Sequence, residues 1–254
     1  MLLESRGVEA AEEWNKDSIY VAGDRVSRDG IIYEAAWWTQ GEDPAGHAGE
    51  WGVWKLVKEN SSIYKLMKEY GFDGVDIDLE HGINAKYMEK ALRRLSKKVG
   101  KSLVITMAPQ TLDMQNTKTE YFKLALKIKD ILTIVNTQYY NSGSMLGADG
   151  KVYFRGSVDF LTALAAIQLE NGLRPDQTGI GVPASVKGAG SGYVSPSIVN
   201  KALNRLAKGK KGGSYKPKKK YKRFRGVMCW PVNWDADNEY KFLKKVYPVV
   251  SQLS

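Results

Sequence analysis

The sequence predicts an α/β chain in two parts: a small all-β module over residues 12–58 and, over 59–254, about five strand–helix units sharing a parallel sheet. Two observations carry this. Residues 12 to 57 are short runs of Tyr, Val, Ile and Trp broken by Gly-Asp and Asp-Gly, the punctuation of tight hairpins. After Glu59, short apolar runs alternate with longer segments of helical period, the pattern of β/α units.

In the module, Asp29-Gly30 stands between Arg25-Val26-Ser27 and Ile31-Ile32-Tyr33 and predicts a hairpin; Gly23-Asp24 marks a second turn. A module this small, with one cysteine in the whole chain, depends on a compact aromatic core. Trp14, Tyr20, Tyr33, Trp51 and Trp54 are the candidates. Neighbouring residues on a strand face opposite ways, so one of Trp37 and Trp38 is expected outside, as an exposed aromatic platform. The alternation does not say which.

In the second part, Ser61 to Tyr70 reads as a helix leading into Tyr70 to Glu80, YGFDGVDIDLE. On a strand Asp76, Asp78 and Glu80 share one face and Val75, Ile77 and Leu79 the other. Three half-buried carboxylates in a row repel, so at least one is expected to hold a proton near neutral pH and serve as a general acid. Gly74 leaves room at the strand's start. Asn84 to Val99 follows as a helix capped by Asn84, with Met88, Leu92 and Leu95 inward. Further strands are expected at 102–109, 132–140, 179–183 and 226–230, with helices near 119–129, 157–171, 195–207 and 236–250. Parallel sheets of this kind place their sites at the carboxyl ends of the strands.

Composition narrows the function. No apolar run is long enough to span a membrane, and the leading residues MLLESRGVEAAEEW carry charge where an export signal needs an apolar stretch. The single Cys229, expected to be buried beside Trp230, excludes an internal disulfide. With only His47 and His81 available, no zinc cluster is expected, and no cofactor is implied. Seven Trp and fourteen Tyr favour carbohydrate. The net charge of +10 lies in residues 208–225, which hold ten Lys and Arg and no acid, leaving 28 cations against 28 acids elsewhere. Such a run reads as a solvated, mobile loop. Adhesion to an anionic surface or cell wall is favoured over specific nucleic-acid binding, and no membrane partner is expected.

DGVDIDLE at Asp73 to Glu80 resembles the catalytic strand of the family 18 glycoside hydrolases, the chitinases and their relatives. The resemblance implies a (β/α)8 TIM barrel, Glu80 as the acid that protonates the glycosidic oxygen, Asp78 holding the substrate's N-acetyl group and Asp76 tuning it. In this family the substrate's acetamido oxygen is the nucleophile, with retention of configuration. The matching strand ends imply that Tyr140 assists Asp78 and that Gln138 and Asn141 contact sugar hydroxyls. Met107 would line the acetyl pocket and Trp230 floor the cleavage point. Gln110 stands where close relatives often carry glutamate. Trp14 to Val57 resembles the short, type-3 chitin-binding modules attached to bacterial chitinases. Chitin or N-acetylglucosamine oligomers are the implied ligand, endo action the implied mode and extracellular the implied location.

A closed barrel needs eight strands, and the counterparts of the family's first three are missing. The reading is therefore an incomplete TIM barrel with two open edges. A truncated or spliced product, a half-barrel completed by self-association or another chain, and a degraded remnant all fit. The alternatives to a chitinase are a noncatalytic chitin-binding protein, an enzyme cleaving the chitobiose core of N-glycans, and a nucleic-acid binder using residues 208–225.

Overall fold

The fold is that of a computed structural model describing residues 11–29, 31–49, 51–57 and 62–253. The leading residues read for an export signal, Gly30 of the hairpin and the 58/59 boundary lie outside the described residues. The chain divides into two compact units, one ending at Gly71 and one beginning at Phe72. The helix Ser62–Tyr70 falls in the first.

In the first unit, strands Glu12–Glu13, Arg25–Arg28, Ile31–Ala35 and Trp54–Leu56 form one sheet, and Ile19–Tyr20 pairs with Thr39–Gln40. Arg28 faces Ile31 across the expected hairpin, with Asp29 at φ 53°, a left-handed conformation that Asp tolerates. Val26, Tyr33, Ala35 and Trp54 make the core, with Trp14 and Tyr20 packed on it. Tyr20 meets Trp54 edge-on at 5.3 Å. The indole of Trp54 donates to the Glu42 carbonyl at 2.8 Å, so its burial leaves no orphan donor. Trp51 corrects the expectation: it is 87% exposed, because it lies in a turn ahead of the last strand. Trp37 and Trp38 are both exposed, at 47% and 58%. They fall in the bend between Ala35 and Thr39, outside any strand, so face alternation does not apply to them.

The second unit is built on five parallel strands, β1 (Gly74–Ile77), β2 (Val104–Met107), β3 (Ile134–Gln138), β4 (Thr178–Pro183) and β5 (Gly226–Trp230), adjacent in chain order. Helices α1 (Ala85–Val99), α2 (Glu120–Lys127), α3 (Val158–Glu170) and α4 (Pro196–Lys208) connect them. Short helix α5 (Val232–Asp237) and α6 (Lys241–Val250) follow β5. This is the expected partial TIM barrel. Interior strand β4 is buried along its whole length, whereas edge strand β1 exposes Asp76, since its outer side has no neighbour among the described residues. A Cβ on Gly74 would lie 1.9 Å from the Val104 carbonyl oxygen; only glycine lets β1 start this close to β2.

Asn84 caps α1 as its sequence predicts, accepting from the N–H of Lys86 at 3.1 Å and Tyr87 at 3.3 Å. The segment 236–250, expected as one helix, is broken because Glu239 and Tyr240 take positive φ. Buried Asp235 accepts the N–H groups of Phe242 (2.8 Å) and Leu243 (3.1 Å), which starts α6 afresh. Cys229 is half-buried rather than buried, being on the other edge strand; burial and then Asp235 push its thiol up to about 11. The basic run is anchored and not simply a solvated loop: Tyr215, Tyr221 and Phe224 are buried. Among the described residues no helix is long and apolar enough to cross a membrane.

Candidate active site

The carboxyl ends of β1, β2 and β3 bring most of the expected residues together. β1 stops at Ile77, so Asp78, Leu79 and Glu80 form an extension beyond the ladder, and Asp76, Asp78 and Glu80 are all exposed. The expected half-buried row is thus opened to solvent, because the side of β1 away from β2 carries no strand among the described residues.

What holds the extension is a residue that sequence reasoning missed. Tyr121, in the first turn of α2 and 2% exposed, accepts the Leu79 N–H on its hydroxyl at 2.7 Å and donates to the Leu79 carbonyl at 3.0 Å. One phenol therefore satisfies both backbone groups of the residue between Asp78 and Glu80. Burial pushes this phenol up to about 12, so it stays neutral and able to donate. In the sequence it is only one more aromatic on a helix; no motif marks it.

Two of the three acids have a side-chain partner of their own. The Thr106 hydroxyl donates to Asp76 Oδ1 across the β1–β2 pair. Gln138 Nε2 donates to Asp78 Oδ1 at 2.9 Å and to the Ala108 carbonyl at 2.6 Å. Gln138 is itself buried, and its backbone carbonyl accepts from Thr111 Oγ1 at 2.6 Å, which in turn accepts from Ser142 Oγ at 2.8 Å. Thr111 and Ser142, like Tyr121, carry no signal in the sequence. Partial burial, then the charges of Asp76 and Glu80, raise the pKa of Asp78 against the opposing Gln138 hydrogen bond. Partial burial and two neighbouring acids thus make Asp78 keep a proton to higher pH than an ordinary aspartate.

Tyr140 is buried, and its phenol is raised by burial and then by Asp78 and Glu80, which puts its hydroxyl in their field. Asn141 sits at φ 50° and spends its side chain on the loop, Oδ1 accepting the Ser191 N–H at 3.0 Å. Gly192, at φ 91°, packs where a Cβ would come within 2.6 Å of the Tyr140 Cα, so this glycine seats the loop on Tyr140. Met107 is fully buried and pairs with Ile77, out of phase with Asp76 and Thr106. Half-buried Gln110 bridges to Gln138 and donates its backbone N–H to Asp113 Oδ2 at 3.0 Å. Trp230 ends β5, 49% exposed on the opposite edge of the sheet. Trp37 and Trp38 belong to the other unit. The cluster around β1–β3 is a pinned aspartate between two exposed carboxylates, beside a buried tyrosine. Such a group can orient an amide and move a proton.

Residues 58–245 match the family described as Glycosyl hydrolases family 18, and residues 13–55 match Carbohydrate-binding module family 5/12. Among curated proteins, Chitinase D of Niallia circulans is 34% identical over 238 residues, covering 79% of this chain and 45% of its own length. The chain therefore spans less than half of that relative. A Streptomyces coelicolor protein assigned as a chitinase A is 55% identical in its crystal structure, with a TM-score of 0.75 over 81% of this chain and 72% of the other. A family GH18 chitinase from Chromobacterium violaceum shares the fold at 23% identity and TM-score 0.71, covering 96% of this chain and all of its own. On the parallel sheet, the acidic extension at its edge and these matches, the chain belongs to glycosyl hydrolase family 18 and carries an amino-terminal carbohydrate-binding module of family 5/12.

Proposed function

We propose that this chain is a chitinase: it binds extracellular chitin through exposed tryptophans of its module and hydrolyses β-1,4-linked N-acetylglucosamine with retention. The observation that carries the reading is the fixed pose of Asp78, held by Gln138 and flanked by Asp76 and Glu80. In this mechanism the Glu80 carboxyl gives its proton to the glycosidic oxygen as the bond to the anomeric carbon breaks. The acetamido oxygen, oriented by Asp78 and Tyr140, attacks that carbon from the opposite face. Glu80, now a carboxylate, takes a proton from the water that opens the cyclic intermediate, restoring the acid and the original configuration. Asp76 modulates Asp78 through its charge. Trp37, Trp38 and Trp51 give the module three exposed indoles for the polymer.

The test is Glu80→Gln. Removing a general acid costs about 10²–10⁴-fold in turnover, while chitin binding by the module stays unchanged. Turnover equal to that of the parent chain rejects the role of Glu80. The exposure of all three acids favours a second reading, a chitin-adhering protein whose barrel needs a second copy to enclose substrate. Assaying chitin oligomers while measuring mass in solution separates the two: activity confined to a dimer supports self-completion, and no activity at any mass leaves the adhesive reading.

A further inference from the structure

The ten cations of residues 208–225 form a built surface at the end of the sheet opposite the acids. The segment joins the end of α4 to the start of β5, so it lies at the amino ends of the strands. It is held from beneath. Asp159 accepts the N–H of Ser214 at 2.8 Å, the N–H of Tyr215 at 2.9 Å and the Ser214 hydroxyl at 2.8 Å. Buried Arg205 donates to the carbonyls of Tyr215 and Lys210. Glu170 receives the hydroxyls of Tyr215 and Tyr221 and pairs with Lys218 at 2.6 Å. Asp159 and Glu170 are thereby engaged with the segment, while Lys211, Lys216, Lys219 and Lys220 are exposed.

Two concavities open on this surface. One, of about 370 Å³, includes Lys211, Lys216, Lys219 and Lys220; the other, of about 500 Å³, runs along α4 from Ser195 to Asn204 and adds Lys201, Lys210 and Lys245 to Lys211. Lys211 borders both, so they make one track, and no acid lines either. Among the described residues none of these seven lysines has an ion pair. Like charges gathered in a concave surface repel one another and focus a positive potential, which an anion relieves. A track two concavities long suits a chain of anions. The aromatics that would stack on bases, Tyr215, Tyr221 and Phe224, are buried, which removes the usual platform for single-stranded nucleic acid. Lysines remain, point charges suited to phosphate.

We infer that this track is a second binding site, for a linear phosphate-bearing polymer without bases, separate from the chitin-handling surfaces. The probe is inorganic polyphosphate titrated against the full chain at several salt concentrations. With four to six contacts, log affinity should fall against log salt with a slope of about −3 to −4, as for single-stranded polyanions. The triple variant Lys216→Glu, Lys219→Glu, Lys220→Glu should bind at least ~10-fold more weakly, with a slope shallower by about 2. Its melting temperature and chitin binding should be unchanged, because these side chains are exposed. The charge-matched control Lys97→Glu, Lys101→Glu, Lys151→Glu should keep parental affinity. Equal losses in both triples, or no loss in the first, overturn the site. Tighter binding of polygalacturonate than of polyphosphate overturns phosphate as the recognised group. Oligothymidylate of equal charge binding ~10-fold tighter than polyphosphate would show base stacking and overturn a base-free ligand.

Discussion

Replacing Tyr121 by Phe removes one oxygen and leaves the ring, so it probes the clamp on Leu79 without opening a cavity. In the parent the hydroxyl accepts the Leu79 N–H at 2.7 Å and donates to its carbonyl at 3.0 Å, beyond the point where the β1–β2 ladder ends with Ala108 N–H on the Ile77 carbonyl. Losing it strips partners from a donor and an acceptor beside a buried ring, at about 1–3 kcal/mol. For a unit of this size each kcal/mol lowers Tm by about 2–4 °C. The effect on chemistry should be larger. Leu79 lies between Asp78 and Glu80, and a displacement of about 1 Å at a reacting group costs on the order of 10²-fold. Thermal unfolding, together with kcat and KM on chitin oligomers, measures both. The expected result is a drop of a few degrees in Tm and a fall concentrated in kcat, equal at all working pH because the phenol stays neutral. A Tm loss with kcat intact would show that Tyr121 supports the fold and does not position the acids.

Gln138→Leu takes away the hydrogen bond that favours ionised Asp78. The Asp78 pKa, already raised, should rise further, and the acid limb of the pH–rate profile should move upward with it; a profile unmoved on that side would detach Asp78 from the rate. Trp37→Ala with Trp38→Ala should abolish most chitin retention in pull-down at unchanged Tm, since both rings are exposed, and full retention would point to Trp51 or another surface. Trp54→Ala, by contrast, empties the module core and should cost about 3–5 kcal/mol, read as loss of the module's own unfolding transition. Gly74→Ala forces a methyl to within 1.9 Å of the Val104 oxygen, and should separate β1 from β2, lowering Tm and turnover together; a parental Tm would refute the close approach.

Much of the fold was legible because its signals are local. The alternation of Val75 and Ile77, the Asn84 cap and the Asp29 turn act over a few residues, and each was found where expected. The acids Asp76, Asp78 and Glu80 were legible for the same reason. Trp37, Trp38 and Trp51 were misjudged because their exposure depends on where strands stop, and α5 and α6 were merged because Asp235 caps the second from seven residues away. By itself the sequence determined the two-part organisation, the five β/α units and the row of carboxylates. Only the tertiary structure decided that Tyr121, Gln138 and Thr106 are the groups supporting that acidic stretch, and that the basic run is pinned by Asp159, Arg205 and Glu170. Those contacts join residues some 10 to 60 positions apart, and no local period or motif encodes which distant partner a buried polar group will meet.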